Sequence, residues 1–493
     1  MSSDQYNMRQ YLSKGSTTVP VSLPEPFVEL ISESLPTPDY LDQFLEYCDK
    51  PLRRSIRVNT LKISVADFCQ RMSAKGWHLT AVPWCESGFW LEREDEQTAL
   101  GNTLEHLGGL FYIQEASSML PVSALFQFIA SDDAPLILDA AAAPGSKTTQ
   151  IAATLNHEGA IVANEFSASR IKGLYSNLQR CGIANVALTN YNADVFGRWL
   201  AESFDGILLD APCSGEGTLR KDPQAMNNWS LEHVNEIAAL QLTLLDSALH
   251  ALKPGGVVIY STCTLNRVEN EQVIELITER YPEAIEVLPL GSLFNEAHKA
   301  QTAEGYLHVW PQIYDSEGFF VAALKKTSSI TAEPVQKKVR PLPFSKASKK
   351  QQQQLTSYLK KQFGIVLKDD DVLMVRDNEY WLFPEAIYQL TDEIRFDRIG
   401  LKVAEQFKDQ WRLTHEAAIH WASQTQKNIV QLTLEQAASY YRGQDIKCSE
   451  AKVGGGEVLL IAQDVPLGLG KQLKGKIKNR LPRELVRDGV QFI

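Results

Sequence analysis

Residues 138–152, LDAAAAPGSKTTQIA, run from the end of an apolar segment through a turn of small residues into a helical pattern. The segment 136–139 predicts a strand, and the helix is expected to begin near Ser146. Free N–H groups at a helix start attract a carboxylate or phosphate, and Gly145 lets a ligand approach the backbone. The order GSKT lacks the upstream glycine of a P-loop, and a dinucleotide fingerprint needs more glycines than the one present. The turn therefore predicts a cofactor with a carboxylate head and an adenosine body.

Around this turn, apolar strand-like runs alternate with helical periodicity. The runs expected as strands are LILDA (136–140), AIVANE (160–165), NVALTNY (185–191), FDGILLD (204–210), VVIYST (257–262) and EGFFVAALKK (317–326). Helices are expected between them, the longest at 231–252, where Ile237, Leu240, Leu244 and Ala248 recur at helical spacing. Strands separated by helices of this kind predict βαβ units, and hence an α/β fold with a parallel sheet covered on both faces.

Acidic and amide side chains follow three of these strands, at the edge where ligands of such sheets bind. Glu165 ends the second strand about 20 residues beyond the turn, where an acid commonly binds a ribose diol. Asn192 and Asp194 follow the third strand, and Asp210 ends the fourth. S-adenosylmethionine fits these positions, with its carboxylate at the helix start, its ribose on Glu165 and its adenine beside the third strand. A solvated carboxylate at a strand end is the competing interpretation of Glu165.

Two cysteines follow the ends of two strands: Cys213 in LLDAPCSGEG (208–217) and Cys263 in VIYSTCTLN (258–266). Both should reach the same crevice, and a helix expected to start near Asn266 would favour the thiolate of Cys263. A thiolate beside a methyl donor indicates C5 methylation of a pyrimidine, because sulfur addition to C6 makes C5 nucleophilic. Asp210 could hold the base through N3 and the exocyclic amine. The alternative is a small buried side chain, which is our interpretation of the other cysteines, Cys48, Cys69, Cys85, Cys181 and Cys448.

The bulk properties are those of an ordinary globular protein. A chain of 493 residues is too long for one hydrophobic core, so about two to four domains are expected. Seven cysteines without a CxxC pair fit free thiols in a reducing cytoplasm and argue against a disulfide framework or a zinc site, so no metal is expected. The polar start MSSDQYNMRQ lacks the apolar core of a signal peptide, and no apolar run approaches the ~18 residues of a membrane span.

Composition divides the chain into segments. Residues 1–132 are expected to form a mixed α/β extension, 133–326 the α/β core, 327–352 a basic linker, 353–410 a small mixed module and 411–493 a further module. The linker could instead be a long surface loop. The net charge of −11 argues mildly against non-specific nucleic-acid binding, but the carboxyl-terminal segment has a basic cluster. This cluster indicates a phosphate-binding face, with a merely solvated surface as the alternative, and comprises Lys471, Lys474, Lys476, Lys478, Arg480, Arg483 and Arg487.

Several segments together resemble the RNA cytosine-C5 methyltransferases of the Nol/Nop/Sun family. They are RVNTLK (57–62), YIQEASSMLP (112–121), AAAPGSKT (141–148), DAPCSGEGTLRKDP (210–223) and YSTCTLNRVENE (260–271), and the resemblance covers roughly Arg53 to Lys325. It implies a Rossmann-like S-adenosylmethionine-dependent methyltransferase core and an amino-terminal RNA-recognition extension. By motif position, Cys263 is implied as the nucleophile and Cys213 as the thiol that helps release the methylated product.

The same resemblance implies the residues that contact the cofactor and the base. They are Ala141, Ala142, Ala143, Pro144, Gly145, Ser146, Lys147, Glu165, Asn192, Asp194 and Asp210. One position departs from the family pattern, because the aspartate usual after the third strand is replaced by Asn192. Either the amide of Asn192 or the carboxylate of Asp194 would then contact adenine.

The carboxyl-terminal segment resembles a β-rich PUA-like RNA-binding module. Within the family, a core followed by a basic linker and such a module is similar to a bacterial enzyme that methylates a cytosine in 16S rRNA. The resemblance implies a target in the decoding region, presented on the assembled small ribosomal subunit. Nothing in the sequence suggests more than a monomer, and the cysteine content fits the cytoplasm. A tRNA cytosine is the alternative substrate, and a non-catalytic RNA-binding assembly factor is the alternative function.

Overall fold

The computed structural model of the chain describes residues 5–6, 23–35, 37, 39–95, 97–130, 134–222, 224–227, 229–330, 339–367, 371–408, 410–447 and 456–492. Cys448, the centre of the predicted linker (331–338) and most of the polar amino terminus lie outside these ranges. Across the described ranges, no helix combines the length and the apolar run that a membrane span needs.

The amino-terminal extension contains a small antiparallel sheet flanked by helices. Its elements are β1 (Gln5–Tyr6), β2 (Leu23–Pro24), α1 (Glu25–Ser34), α2 (Tyr40–Cys48), β3 (Ser55–Val58), α3 (Val65–Ser73), β4 (Trp77–Ala81), β5 (Gly88–Arg93), α4 (Leu104–Leu107), β6 (Phe111–Ile113) and α5 (Leu120–Phe128). The sheet has the order β4-β5-β3-β6, and α3 covers it with the fully buried Phe68 and Met72. Helices α1 and α2 pack beside the core instead, where Phe44 contacts Trp310 with ring centroids 6.0 Å apart.

The core is a twisted sheet between two layers of helices. Its elements are β7 (Leu136–Asp139), α6 (Ser146–Leu155), β8 (Ala160–Asn164), α7 (Ala168–Cys181), β9 (Val186–Thr189), α8 (Phe196–Trp199), β10 (Phe204–Asp210), α9 (Leu231–Ala251), β11 (Leu252–Thr262), α10 (Glu271–Arg280), β12 (Ile285–Leu288), β13 (Leu307–Val309), α11 (Pro311–Tyr314) and β14 (Phe319–Lys326). The strand order is β12-β14-β11-β10-β7-β8-β9, with β13 paired to β14.

The pairing and burial of the core strands confirm the predicted α/β fold. Strands β7 to β11 are parallel, and β14 returns antiparallel beside β11. Every residue of β7, β8 and β9 is buried, as expected when helices cover both faces. Two separate hydrophobic clusters form, one on each side of the sheet. The carboxyl ends of the parallel strands therefore meet at one open edge, where ligands of such sheets bind.

Two further β-rich modules complete the chain. The first contains β15 (Ser345–Lys346), α12 (Lys349–Gln362), β16 (Asp371–Arg376), β17 (Glu379–Pro384), α13 (Glu385–Tyr388), β18 (Arg398–Ile399), β19 (Leu401–Phe407), β20 (Gln410–Leu413) and α14 (His415–His420). The second contains β21 (Ile429–Gln431), α15 (Leu434–Tyr441), β22 (Ile446–Lys447), β23 (Glu457–Ala462), β24 (Val465–Leu473) and β25 (Lys476–Asn479). Their sheets have the orders β15-β16-β17-β19-β20 and β21-β23-β24-β25-β22.

The first of these modules begins earlier and ends later than the segment 353–410 that composition indicated. Strand β15 and the start of α12 lie within the segment expected as linker, and β20 and α14 lie within the segment expected as the PUA-like module. The reason is that β15 and β20 hydrogen-bond to β16 and β19, so the sheet closes over both expected boundaries. Lysines and glutamines on the exposed face of α12 give this stretch the composition of a linker.

Both modules pack against the rest of the chain. Strand β18 pairs antiparallel with β9, which extends the core sheet by one strand. The last module shares a hydrophobic cluster with the amino-terminal extension, in which Tyr440 and Val465 join Phe111. Arg71 of the extension also donates a 2.8 Å hydrogen bond to the carbonyl of Gln463. The two ends of the chain therefore form one packed body beside the core.

Candidate active site

The turn between β7 and α6 lies at the open edge of the sheet and leaves a helix start free. Gly145 has a φ of +104°, and a Cβ there would lie 2.8 Å from Leu174 Cδ1, so only glycine fits. The first intrahelical bond runs from Thr149 N–H to Gly145 O, and no side chain caps the helix. The backbone N–H groups before Thr149 therefore suit an anionic group such as a carboxylate.

Glu165 follows β8 and fastens this turn to the next helix. Its side chain is almost fully buried and accepts hydrogen bonds from Ala143 N–H (3.2 Å) and Ser167 N–H (2.8 Å). Arg170 lies 3.4 Å from the same carboxylate and donates to the carbonyl of Ala143 at close range. The neighbouring Phe166 is 76% exposed, which is unusual for an aromatic ring and provides a flat apolar surface beside the acid.

Asn192 and Asp194 lie together beyond the end of β9. Asn192 Nδ2 donates to Asp194 Oδ2 at 3.0 Å, and the Asn192 side-chain oxygen caps the short 3₁₀ turn Ala193–Val195. The amide and the carboxylate are thus neighbours at the same place on the edge. This geometry keeps both candidates for an adenine contact in reach of one ligand.

Asp210, at the end of β10, is held by two donors. Lys147 of α6 donates to Asp210 Oδ2 at 2.7 Å, and Ser261 Oγ–H donates to Oδ1 at 2.8 Å. Lys147 also donates to Ser118 Oγ at 3.1 Å and lies 5.6 Å from the ring centroid of Phe319. The Asp210 side chain remains 29% exposed, so its oriented carboxylate is available at the edge of the sheet.

The two predicted thiols meet directly. Cys213 Sγ and Cys263 Sγ are 3.1 Å apart, although 50 residues separate them in the chain, and both side chains are partly accessible. The hydrogen bond with Cys263 and the burial of its own side chain raise the pKa of Cys213 well above its ordinary value. Cys213 is therefore a neutral thiol at physiological pH, and its S–H can donate to the sulfur of Cys263.

The expected helix start beside Cys263 is wrong. Helix α10 begins at Glu271, eight residues after the thiol, and 267–270 form a turn. The side chains of Asn266, Glu269 and Asn270 are fully buried and take part in hydrogen bonds with each other, with Thr262 and with Glu216, and the stretch does not continue as a helix toward Cys263. A helix dipole is therefore not available to favour the thiolate.

Buried Glu216 holds the two cysteine loops together. Its carboxylate accepts five hydrogen bonds, from Trp229 Nε1, Thr264 Oγ1, Leu265 N–H, Asn266 N–H and Asn266 Nδ2. All but one of these donors belong to the loop that follows Cys263, whereas Glu216 itself follows Cys213. Burial raises the pKa of this carboxyl, and the donors oppose that shift. Hydrogen bonds to this carboxylate thus join the two loops.

A second buried acid, Glu269, makes the reciprocal connection. Its Oε2 accepts Ser214 N–H at 2.9 Å and Gln241 Nε2 at 3.0 Å, and its Oε1 accepts Asn266 Nδ2 at 2.8 Å. Backbone bonds add to it, since Gly217 N–H donates to Cys263 O at 2.9 Å. The positions of both thiols are therefore set by two acids that each bind the opposite loop.

Sequence reasoning did not single out these two acids. The signal that could have found them is their position, because Glu216 lies between two glycines directly after the Cys213 motif. An acid so close to an apolar strand end needs either solvent or buried donors. Glu269 is separated from Cys263 by only five residues. It lies in a segment in which three polar side chains, Asn266, Glu269 and Asn270, belong to no strand or helix.

The remaining predicted residues lie elsewhere. Cys48, Cys85 and Cys181 are buried, and Cys69 on α3 is partly exposed. In the basic cluster, Lys476 pairs with Asp445 at 2.7 Å and Arg480 with Glu457 at 3.4 Å. Five others are exposed, namely Lys471, Lys474, Lys478, Arg483 and Arg487. Lys471 of β24 stands directly across from Lys478 of β25.

Comparison with protein families covers most of the chain. Residues 126–325 match the model "16S rRNA methyltransferase RsmB/F", and 23–116 match "N-terminal domain of 16S rRNA methyltransferase RsmF". Residues 344–421 match the pre-PUA domain of ribosomal RNA small subunit methyltransferase F, and 427–487 match "Methyltransferase RsmF PUA domain".

Whole proteins and solved structures agree with these matches. Proteins named "Ribosomal RNA small subunit methyltransferase F" are 52% identical in Psychromonas ingrahamii and 54% in Escherichia coli, each over 96% of this chain and 98% of the relative. A methyltransferase homolog from Pyrococcus horikoshii is 34% identical with a TM-score of 0.51, over 62% of this chain and 100% of its own. NSun6 from the same organism shares the fold, with 22% identity and a TM-score of 0.54 over 62% of this chain and 99% of its own.

Proposed function

The chain belongs to the family of 16S rRNA methyltransferase RsmF, and on that premise we propose that it methylates C5 of a cytosine in 16S rRNA. The proposed methyl donor is S-adenosylmethionine, and the proposed intermediate joins Cys263 covalently to C6 of the base. The target lies in the decoding region and is presented on the assembled small subunit. We expect a monomeric enzyme in the cytoplasm, where free thiols stay reduced.

The observation that carries this proposal is the 3.1 Å contact between Cys213 and Cys263 beside the oriented carboxylate of Asp210. C5 of a cytosine is a poor nucleophile until a group adds to C6. A cysteine sulfur is the side-chain atom best suited to that addition, because it is nucleophilic and leaves again easily. A purely structural role would not need two accessible thiols at the ligand edge of the sheet.

Cys263, Asp210 and Cys213 each have a separate role in the reaction. Cys263 Sγ forms a bond to C6, and the electron pair of the C5–C6 double bond moves toward C5 and the N3–C4 amidine. Asp210 accepts hydrogen bonds from the exocyclic amine or from N3 once solvent has protonated it, and the carboxylate so stabilises the N3-protonated adduct. After C5 has taken the methyl group, its proton passes to solvent water, and the re-forming double bond expels Cys263 while N3 returns its proton to solvent. The S–H of Cys213 donates to that sulfur and supports its departure.

The cofactor-binding residues fit S-adenosylmethionine. The uncapped start of α6 suits its carboxylate, Glu165 retains lone pairs for a ribose hydroxyl, and Phe166 offers a surface for adenine with Asn192 and Asp194 nearby. When bound, the cofactor supplies an electrophilic methyl group on a sulfonium. The protein residues orient that group toward the base, and Gly145 keeps the turn open for it.

Two alternatives remain open to experiment. A tRNA cytosine would suit the same catalytic residues, and only the carboxyl-terminal modules, with their match to RsmF, favour rRNA. A non-catalytic assembly factor would need neither thiol nor a cofactor turn. Calorimetry with S-adenosylmethionine separates the latter, because a pure RNA-binding protein shows no binding heat. Bisulfite sequencing of total RNA with and without the gene identifies the methylated nucleotide and so separates rRNA from tRNA.

The direct test replaces the nucleophile. Purified wild type and Cys263→Ala are incubated with small subunits from a strain that lacks the gene and with methyl-labelled S-adenosylmethionine. We expect transfer with the wild type, 5-methylcytidine after nuclease digestion, and no transfer with Cys263→Ala. Cys69→Ala is the matched control, because Cys69 is partly exposed on α3 in the amino-terminal extension. Full activity of Cys263→Ala, or a methyl group on an atom other than C5, would contradict the proposal.

A further inference from the structure

The amino-terminal extension contacts Lys147, the lysine that orients Asp210. Lys147 is 7% exposed, and its ammonium donates to Asp210 in the core and to Ser118 in the extension. Among the described residues, Ser118 is the hydrogen-bond partner of Lys147 that the core does not supply. The side chain that orients Asp210 is therefore itself held by a residue outside the methyltransferase fold.

Ser118 is fixed by a neighbouring acid of the same segment. Glu115 Oε2 accepts the backbone N–H of Ser118 at 3.2 Å and the hydroxyl of Ser117 at close range. These bonds fold 115–118 into a tight turn that leads into α5, a helix packed on the core sheet. The hydroxyl of Ser118 is left to accept from Lys147. The turn thus presents one acceptor to the ammonium at a fixed position.

The other oxygen of Glu115 contacts the core at a third place. Glu115 Oε1 accepts the backbone N–H of Glu317 at 3.2 Å, directly before β14. Glu317 is 5% exposed, and within the described part of the chain its Oε1 has no hydrogen-bond partner. The Glu317 carboxyl is thus near an acid, Glu115, and the cationic groups that act on it are Lys147, Arg220 and Lys221. The next residue, Gly318, donates to Gly217 O in the Cys213 loop.

The surroundings of Glu317 disfavour the charged form of its carboxyl group. Burial and the charge of Glu115 raise the pKa of Glu317 to about 8, against the opposing effect of the three cations. At neutral pH Glu317 is therefore mostly protonated. Ionisation of Glu317 at higher pH would add a negative charge near Lys147 and compete with Asp210 for the ammonium.

We propose that the extension completes the catalytic site, with Ser118 and Glu115 as positioning residues that hold Lys147 on Asp210. This inference rests on the proposed function, in which Asp210 binds the cytosine. It adds a role for the extension besides RNA recognition. It also explains how the Glu317 carboxyl, which takes no part in the reaction steps, affects the site through Lys147.

The first experiment measures kcat and KM of methyl transfer to small subunits for Ser118→Ala. A misplaced Lys147 weakens Asp210 in the transition state, so we expect kcat to fall about ten- to a hundredfold with KM nearly unchanged. Ser118→Thr keeps the hydroxyl and should restore most of the rate. Ser123→Ala on α5 is the matched control, because Ser123 Oγ donates to the carbonyl of Met119 at the start of the same helix. A wild-type kcat for Ser118→Ala, or no rescue by threonine, would overturn the role of Ser118.

The second experiment remains informative if Ser118→Ala folds poorly. The single-turnover rate of the wild type should fall as the pH rises through about 8, since Glu317 then ionises. Glu317→Gln keeps the shape and the neutral charge, so its rate should stay flat across the same range. An identical alkaline fall in both proteins would show that Glu317 does not act on the site through Lys147.

The two proposals fail in different ways. If wild type and Ser123→Ala transfer no methyl group to C5, the proposed function is wrong. If both transfer it, and Ser118→Ala has the kcat and Glu317→Gln the pH profile of the wild type, only the positioning role is wrong.

Discussion

At the scale of single residues, the site depends on two sulfur atoms in unequal surroundings. Cys213 is kept neutral by its hydrogen bond and by burial, with Glu269 and Asp210 adding negative charge nearby. A neutral thiol is a poor nucleophile but can still donate its S–H, which suits product release better than attack. Cys263, at the end of β11, is the partner that can attack. The division of roles thus follows from the environments of the two thiols.

The distance between Cys213 Sγ and Cys263 Sγ predicts how the protein responds to oxidation. Two sulfurs 3.1 Å apart need to approach by only about 1 Å to form a disulfide bond. Diamide, which takes up the two thiol hydrogens, should therefore remove two thiols and abolish methyl transfer, and dithiothreitol should restore both. Thiol counting and peptide mass spectrometry check the result.

The matched controls are Cys213→Ser and Cys69→Ser. The first should lose no thiol pair to diamide under the same conditions, and the second should behave as the wild type does. Oxidation that joins other cysteines, or two thiols that stay free, would show that the loops do not hold the sulfurs in contact.

At the scale of elements, the site is a joint between two loops at the ends of β10 and β11. Neighbouring parallel strands bring the loops close, and buried Glu216 and Glu269 then fix their register. Carboxylates with several donors hold a loop more specifically than apolar contacts, because each bond has a direction. A 3.1 Å contact between side chains from separate loops needs that specificity.

Replacing Glu216 by glutamine tests this joint. Both carboxylate oxygens accept hydrogen bonds, so an amide NH₂ would face a donor and leave it buried and unpaired. We expect the free energy of unfolding to fall by about 2 to 4 kcal/mol and methyl transfer to be lost. Urea unfolding and the labelled-methyl assay measure the two effects.

Glu236→Gln on α9 is the control, since that side chain is 72% exposed and its one ion-pair contact is with His233 at 3.8 Å. It should change neither stability nor activity. Equal stability of both variants would mean that Glu216 does not hold the loops.

The local pattern of the sequence accounts for most elements of the core. Helix α9 was expected at 231–252 and spans Leu231–Ala251, and the strands start within a few residues of their apolar runs, since burial and periodicity are local properties. The helix start expected near Asn266 is wrong because the Asn266 side chain donates to Glu216 in the Cys213 loop and does not cap a helix. Side-chain partners 50 residues away leave no trace in a local pattern.

At the scale of the whole molecule, the modules are arranged around one edge of the core sheet. The extension contributes Ser118 to that edge, and the last module packs on the extension through Tyr440 and Val465. Strand β18 lengthens the core sheet beside β9. None of these contacts could be predicted from the sequence, because each joins surfaces that are distant in the chain. Composition indicates the modules but places two of their boundaries inside elements, one in α12 and one in β20.

The exposed lysines of the last module predict how RNA binding depends on salt. Lys471 and Lys478 face each other across β24 and β25, an arrangement that costs stability unless a polyanion is bound. The double variant Lys471→Ala/Lys478→Ala should bind small subunits more weakly and lower the slope of log K against log salt by about 1.5 to 2. Filter binding at several salt concentrations measures that slope.

Lys253→Ala/Lys299→Ala is the control, because both lysines pair with acids of the core, Asp205 and Glu296. It should leave the slope unchanged. The same slope in both double variants would remove these lysines from the RNA-binding surface.

The covalent bond between Cys263 and the base is tested most directly by trapping it. Cys213→Ser is incubated with small subunits and S-adenosylmethionine, digested with nuclease and trypsin, and analysed by mass spectrometry. Without the Cys213 thiol, release is slow, and we predict a methylated cytidine nucleotide on the peptide that contains Cys263. A nucleotide attached to another residue, or release of methylated RNA at the wild-type rate with no adduct, would contradict the account.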